Sequence, residues 1–113
     1  MKNYIHILIN LREASFEDLN NEKLVTELLD SIVNFYKLKV IKKDLHLFKP
    51  QGISCFSLLE ESHISIHTCP EKGKAYLDLF ASIKDEFEVT EIKKLIYSKI
   101  KSNILVLQVF RDE

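Results

Sequence analysis

Glycine and proline are scarce in this chain of 113 residues, which has two of each and no tryptophan. Gly52 and Pro50 lie close together, as do Gly73 and Pro70, and such clusters are typical of turns. No segment has the composition of a linker, a repeat or a low-complexity region. Because this length supports one hydrophobic core, we expect a single domain that spans residues 1–113.

A large net charge and long apolar runs are also lacking. The 16 basic and 17 acidic residues leave a formal charge of -1, so no nucleic-acid partner is expected. With 46% hydrophobic residues the chain is too apolar for disorder, yet its apolar runs are much shorter than a bilayer span. His6 and Asn10 interrupt the first apolar segment, where a signal peptide needs an unbroken core. We therefore expect a cytoplasmic protein with no membrane partner.

Cysteine is rare as well, with Cys55 and Cys69 the two in the chain. Their spacing does not match a CxxC motif. The pattern favours reduced thiols of a cytoplasmic protein over a disulfide, and no metal site is predicted.

Hydrophobic periodicity predicts eight elements in the order β-α-β-β-β-β-α-β. The six strands are expected at residues 4–11, 40–48, 53–59, 64–69, 75–82 and 103–110. Asn20 or Asn21 is expected to cap the first helix and Thr90 the second, with Lys99 and Lys101 in its last turn. The apolar positions of the two helices are Val25, Leu28, Leu29, Ile32, Val33 and Tyr36, then Ile92, Leu95, Ile96 and Ile100.

Short connections between consecutive strands favour an α+β fold. We expect a two-layer sandwich of a mainly antiparallel sheet with two helices on one face. The other face would mix His, Ser and Asp with Tyr, Phe and Leu, which is too apolar to leave in water and too polar for an ordinary core. A second copy of the sheet could cover it, which predicts a homodimer with its helices outside.

The junction of Glu61 and Ser62 combines side chains suited to acyl transfer. A serine hydroxyl that attacks the preceding carbonyl converts the peptide bond to an ester, and elimination of that ester followed by hydrolysis leaves a pyruvoyl group. This step needs a polarised carbonyl, a donor to the oxyanion and a base, and Ser54 and His67 are of the right types. In the alternative interpretation, Ser62 is an ordinary turn serine and His63 and His67 are solvent-facing strand residues.

The chain resembles the prokaryotic S-adenosylmethionine decarboxylases, which make their own pyruvoyl cofactor by cutting a Glu-Ser bond. The resemblance covers nearly the whole chain and is most specific in the string from Glu61 to Glu71, Glu-Ser-His-Ile-Ser-Ile-His-Thr-Cys-Pro-Glu. It extends to the first strand with His6, the His46-Leu-Phe48 strand end, the Gly52-Ile-Ser54 segment and Asp78-Leu-Phe80.

This resemblance implies a role for each matching residue. Ser62 would become the pyruvoyl group that forms a Schiff base with the substrate amine, and Ser54 and His67 would support the cleavage. Phe48 would stack on the base of the substrate, and Glu71 would bind its ribose hydroxyls. Cleavage would yield a β chain of residues 1–61 and an α chain of residues 62–113. Active members of the family are dimers of such cleaved pairs.

Two departures from the family pattern lie near the expected substrate. Ser82 stands where the family has the cysteine that returns a proton to the substrate, and a serine hydroxyl is a much weaker acid than a thiol. Cys69 replaces a tryptophan, on the same predicted strand face as His67. Cys69 is therefore a candidate substitute acid; alternatively, it is a small buried thiol that fills the space of the tryptophan.

These changes favour a diverged decarboxylase acting on L-ornithine or L-arginine, with S-adenosylmethionine as the alternative substrate. Phe48 and Glu71 are the residues that favour the nucleoside substrate, although a carboxylate can equally bind an ammonium or guanidinium group. Two further classes remain: a catalytically dead paralogue that regulates an active enzyme, and a small-ligand-binding sheet domain with an ACT-like role. Retention of the cleavage site argues against the first of these.

Overall fold

The described part of the chain forms a six-stranded sheet with helices packed on one face. The computed structural model describes residues 3–83 and 89–112. Its strands are β1 (Asn3–Ala14), β2 (Val40–Leu47), β3 (Ile53–Leu59), β4 (Ser62–Cys69), β5 (Lys74–Ile83) and β6 (Ser102–Asp112). The helices are α1 (Phe16–Leu19), α2 (Glu22–Phe35) and α3 (Val89–Tyr97), with a 3₁₀ turn at Pro70–Lys72. The predicted α+β sandwich is confirmed.

The strands lie in the order β2-β3-β4-β5-β1-β6, and each of these neighbours pairs antiparallel. Strands β2 to β5 follow one another in the sheet as they do in the chain. β1 lies between β5 and β6, so the first strand of the sequence is bonded on both sides. This order brings the amino-terminal strand beside the segment that contains Asp78 and Phe80.

The core forms between the sheet and the two longer helices. Ile5, Ile7, Ile9 and Leu11 of β1 are all at most 2% exposed, and they belong to one buried cluster with the apolar residues of α2 and α3. Removal of such a side chain from water stabilises the fold by about 1.5–3 kcal/mol. The period-2 pattern of β1 thus fixes which face receives the helices.

Asn21 is the residue that caps α2. Its side chain accepts a hydrogen bond from the Leu24 backbone N–H at 3.1 Å. Asn20, the other candidate, lies at the end of α1 and accepts from the Gly52 N–H at 3.1 Å, so it joins the connection between α1 and α2 to the turn before β3. Within the described residues, no helix has the length and apolar content needed to cross a bilayer.

The predicted ends of the second long helix were wrong. α3 begins at Val89, whose side chain packs against the core, so Thr90 lies inside the first turn instead of capping it. α3 ends at Tyr97, before Lys99 and Lys101. Lys99 instead forms an ion pair with Glu27 of α2 at 3.1 Å. The short helix α1 and the 3₁₀ turn were not predicted, because segments of three or four residues carry no hydrophobic period.

The turn between β2 and β3 depends on Gly52. Its φ is +112°, and a Cβ there would lie 3.3 Å from the carbonyl oxygen of Thr68. The Phe48 N–H donates to the Gly52 carbonyl at 2.9 Å and closes the turn. As a result, Phe48 lies just beyond the end of β2. The sequence had predicted it to be the last residue of that strand.

Ile7→Ala should lower the free energy of unfolding by about 2–5 kcal/mol, since it leaves a cavity in the centre of the core. Ile41→Ala is the matched control because Ile41 is 61% exposed and should change stability little. Urea denaturation followed by circular dichroism measures both. Equal effects of the two substitutions would contradict the burial described here.

Candidate active site

The face of the sheet opposite the helices, called the open face below, carries the candidate chemistry. It is formed by alternate residues of all six strands, and it has the predicted mixture of polar and apolar side chains. Its members include Tyr4, His6, Leu8, Asn10, Asp44, His46, Ser54, Phe56, Leu58, His63, Ser65, His67, Cys69, Tyr76, Asp78, Phe80, Ser82, Val106, Gln108 and Phe110.

Glu61 and Ser62 lie at the hairpin between β3 and β4. Leu59 pairs with Ser62, so Glu60 and Glu61 alone form the loop. Glu61 has a φ of 61°, a left-handed conformation that costs a non-glycine residue about 1–2 kcal/mol. The Ser62 Oγ donates to the Glu60 carbonyl at 3.2 Å, and Ser62 is only 7% exposed. The serine hydroxyl thus contacts the carbonyl of Glu60, one residue before the Glu61 carbonyl that it would attack. Both carbonyls belong to a strained turn.

Ser54 and His67 face each other across β3 and β4. The Ser54 Oγ and the His67 Nδ1 are 2.6 Å apart, a short hydrogen bond. Such a contact allows the imidazole to take the hydroxyl proton, or allows the hydroxyl to orient the imidazole. The structure therefore joins the two residues that the sequence paired as cleavage helpers.

An aromatic ring and a carboxylate lie at the same end of β3 and β4 as His67. The Phe48 ring is half exposed and contacts the His46 ring edge-on, with centroids 4.5 Å apart. Glu71 lies in the 3₁₀ turn that follows β4, and its Oε2 accepts from the Gln51 side chain at 3.0 Å. Phe48 and Glu71 are thus placed at one end of the open face, where they could contact a nucleoside.

Ser82 lies at the opposite end of the sheet. It pairs with Tyr4 of β1, and it follows Phe80, which pairs with His63 of β4. Two residues beyond Phe80, Ser82 is therefore beside the hairpin that contains Ser62. The position that the resemblance assigns to a thiol acid is at the same end as the predicted scissile bond.

The predicted site residues thus fall into two groups. The group that we call the cleavage end consists of Glu61, Ser62 and Ser82. The group that we call the binding end consists of Phe48, Ser54, His67, Cys69 and Glu71. His67 is five residues along β4 from Ser62, a separation of about 17 Å at the usual rise of a strand. Within one chain, the Ser54–His67 pair does not reach the bond that it was predicted to help cleave.

Cys69 is still farther from Ser62, by about 23 Å along β4. It shares the open face with His67, as expected, but within its own chain it lies too far from Ser62 to act as the substitute acid. Cys55 points to the core, where burial and then the charge of Asp30 raise the pKa of its thiol above the usual value. Both cysteines are free.

A cluster of two histidines and a carboxylate was missed by the sequence analysis. Asp78 lies between them, with its Oδ1 2.7 Å from the Nε2 of His6 and 3.5 Å from the Nε2 of His63. The three side chains come from neighbouring strands β1, β5 and β4. Strand alternation could have placed each of them on the open face, but the order of the strands could not be read from the sequence.

Aromatic rings hold this cluster in place. The His63 ring stacks between Phe56 and Phe80, with centroid distances of 6.2 and 6.0 Å. Phe80 in turn stacks on Tyr4 at 5.2 Å with the rings almost parallel. The His63 side chain thus has a fixed orientation toward Asp78.

Two shallow depressions occupy the middle of the open face. The larger has a volume of about 410 Å³ and is lined by residues that include Asn10, Tyr76 and Asp78. The second has a volume of about 300 Å³ and lies toward β2. Both are bordered by Ser65 and His67, so the polar residues of β4 connect them.

Comparisons with a family model, with related sequences and with a solved structure all indicate the same family. Residues 5–111 match the model of a family described as S-adenosylmethionine decarboxylase. An S-adenosylmethionine decarboxylase proenzyme of Clostridium botulinum is 32% identical over 109 residues, covering 84% of this chain and 94% of the relative. A proenzyme of the same name from Sulfurihydrogenibium sp. is 41% identical over 76 residues, covering 67% of this chain and 57% of the relative. The crystal structure of the adenosylmethionine decarboxylase from Aquifex aeolicus has a TM-score of 0.83 and 28% identity, and the match covers 96% of this chain and 89% of that one.

The residues around Ser62 fit the covalent cofactor of this family, since a strained Glu61 precedes a serine in a two-residue hairpin. The enzymes of the family are proenzymes that decarboxylate with a pyruvoyl group. The match extends over almost the entire sequence and agrees with the fold. This chain belongs to the S-adenosylmethionine decarboxylase family and is a pyruvoyl-dependent carboxy-lyase.

Proposed function

We propose that this protein is an S-adenosylmethionine decarboxylase of polyamine synthesis that cleaves itself between Glu61 and Ser62. The observation that carries the proposal is the left-handed Glu61 directly before Ser62 in a two-residue hairpin. Residues 1–61 and 62–113 would be the two chains of the mature enzyme. A cytoplasmic location, with neither nucleic acid nor membrane as partner, is part of the same proposal.

The cleavage uses atoms of the chain itself. Rotation of the Ser62 hydroxyl from the Glu60 carbonyl to the Glu61 carbonyl carbon allows a new C–O bond to form while the C–N bond breaks. The hydroxyl proton passes to the nitrogen, which becomes a free amine. Removal of the α-proton of residue 62 then breaks the Cβ–Oγ bond and releases the Glu61 carboxylate. Water replaces the nitrogen, which leaves as ammonia. Removal of the hydroxyl proton and then of the α-proton requires a base near Ser62.

A face-to-face dimer would supply that base. A two-fold axis perpendicular to the strands, over the central row of Leu8, Ser65 and Asp78, would lay the cleavage end of one subunit on the binding end of its partner. The roughly 17 Å between Ser62 and His67 of one chain would then be replaced by a contact between subunits. Phe48 and Glu71 would reach the same site.

The open face has the size and composition for such an interface. Six strands of about eight residues present on the order of 700 Å² per subunit, which is close to the ~800 Å² that each partner contributes to a standard interface. The exposed apolar side chains of the face include Phe56, Leu58, Tyr76, Val106 and Phe110, each at least 39% exposed in the single chain. Covering them with a second copy would remove that surface from water.

S-adenosylmethionine replaces L-ornithine or L-arginine as the favoured substrate. The comparisons give no support to the basic amino acids, whereas the similar proteins are named for S-adenosylmethionine. The substitutions that had favoured a basic amino acid, at Ser82 and Cys69, concern a proton donor and a space-filling side chain. Neither substitution removes the residues suited to a nucleoside, Phe48 and Glu71. The family match also leaves no support for an ACT-like ligand-binding role.

Ser62→Ala should leave an intact chain of 113 residues, whereas the unaltered protein should separate into fragments 1–61 and 62–113. Loss of the hydroxyl removes the nucleophile of the first step. Intact-protein mass spectrometry after incubation gives the answer, with Ser98→Ala, at an exposed serine just after α3, as the control that should still be cut. An uncut unaltered protein would instead support the non-catalytic regulatory relative.

Co-expression of two inactive variants tests the shared site. His67→Ala and Ser62→Ala should each remain uncut alone. When the two are expressed together with different tags, roughly half of the His67→Ala chains should be cut, since random pairing gives that share a partner with an intact His67. If the unaltered protein is cut but the mixture is not, His67 does not act across a dimer.

Phe48→Ala should lower kcat/KM for S-adenosylmethionine at least tenfold, since stacking of a base on an aromatic ring is worth about 1–3 kcal/mol. Phe35→Ala is the matched control because Phe35 is similarly exposed but lies on α2. CO2 release should be measured with S-adenosylmethionine, L-ornithine and L-arginine. Faster release from either basic amino acid, unaffected by Phe48→Ala, would contradict the proposed substrate.

A further inference from the structure

The loss of the family's thiol at position 82 leaves one chemical step without an obvious donor. The pyruvoyl group supplies the electron sink when CO2 leaves. Departure of CO2 leaves an electron pair at the α-carbon of the substrate, and a protein group must supply the proton that completes the product. The Ser82 hydroxyl is a poor acid at neutral pH, so another side chain near Ser62 must carry that proton.

His63 is placed to do so. It directly follows Ser62, and its side chain lies on the open face. It faces Phe80 across β4 and β5, so Ser82 is its diagonal neighbour, at a Cβ separation of about 7–8 Å. Imidazole is the side chain best suited to exchange protons near neutral pH. His63 thus lies at the cleavage end, next to the position that the family's thiol occupies.

The contacts of His63 are those expected of an acid–base group whose ring orientation is fixed by its neighbours. Its Nε2 lies 3.5 Å from the Asp78 carboxylate, and the rings of Phe56 and Phe80 stack near it with centroids 6.2 and 6.0 Å away. Because Nε2 faces Asp78, proton transfer would take place at Nδ1, the ring nitrogen nearer to the His63 backbone. The Ser62 side chain itself lies on the buried side of β4. An acidic partner on one nitrogen fixes the ring and favours proton transfer at the other.

We propose that His63 is the catalytic acid that returns the proton to the substrate α-carbon, in place of the missing thiol. The inference rests on the proposed function. The proton leaves Nδ1 of His63 and forms the new C–H bond with the electron pair left by CO2, and the neutral ring regains a proton from solvent. Asp78 is a positioning residue, and His6 holds Asp78 through the 2.7 Å contact.

Other candidates among the described residues are less well placed. His6 lies on β1, two strands from β4, at about 9–10 Å. Tyr4 faces Ser82, but a phenol is a weak acid and its ring is stacked on Phe80. Cys69 of the same chain is about 23 Å from Ser62, so it could act only from the partner subunit. Cys69→Ala therefore serves as the comparison variant.

His63→Asn should still be cut, and its α chain should still be trapped with substrate by cyanoborohydride, while product formation falls by about 100-fold or more. Without the acid, the proton is expected to add to the cofactor carbon, and hydrolysis then releases an aldehyde and leaves alanine at the start of the α chain. Amino-terminal sequencing and mass spectrometry should therefore show alanine accumulating at least tenfold faster per turnover than in the unaltered protein. This readout is independent of overall activity.

Ser82→Cys added to His63→Asn should restore product formation at least tenfold and suppress the alanine ending, because it returns a thiol acid to the neighbouring position. Asp78→Asn should shift the pH profile of turnover and leave cleavage intact, and Cys69→Ala should not raise the rate at which alanine accumulates per turnover. Alanine that accumulates with Cys69→Ala but not with His63→Asn would assign the acid to the partner's Cys69 and overturn the proposal.

Failure of cleavage is also informative. If neither His63→Asn nor His63→Gln is cut while the unaltered protein is, His63 serves processing and the proposal is wrong. If the unaltered protein itself is uncut or releases no CO2 from S-adenosylmethionine, the proposed function fails first. The two failures are therefore distinguishable in the same set of proteins.

Discussion

The two-residue period of the strands is the constraint on which this structure depends. On β1, one set of alternate residues, Ile5 to Leu11, is removed from water beneath α2 and α3. The other set, with Tyr4, His6 and Asn10, therefore faces the opposite side of the sheet. The same alternation on β4 puts His63 and His67 on that side as well. Successive residues of the same strand thus contribute in turn to the core and to the open face.

The open face separates two kinds of chemistry along its strands. The strained hairpin and Ser82 lie at one end, and the Ser54–His67 pair lies at the other with Phe48 and Glu71. Neither end alone has both the predicted scissile bond and the groups expected to act on it. In the proposed dimer, a second copy turned end to end would complete this arrangement and would also cover the apolar side chains of the open face.

Departures from the family sequence are easier to interpret with the structure than without it. Cys69 is a reasonable substitute acid when only its strand face is known, but about two dozen ångströms separate it from Ser62 in the same chain. In the sequence, only its place in the Glu-Ser-His string distinguishes His63 from other polar strand residues. Its importance comes from Asp78, which is fifteen positions later in the chain and adjacent in the sheet.

Much of the fold was readable from the sequence, because the strands and the two long helices have clear periods and the caps and turns use recognisable residues such as Asn21 and Gly52. The Glu61–Ser62 junction and its family were readable too, since that string is local. The ends of α3, the short helix α1 and the insertion of β1 between β5 and β6 were not, because packing against distant residues decides them. The separation of the site into two ends and the His6–Asp78–His63 cluster likewise required the tertiary structure, since strand order and register, and not spacing along the chain, determine which side chains meet.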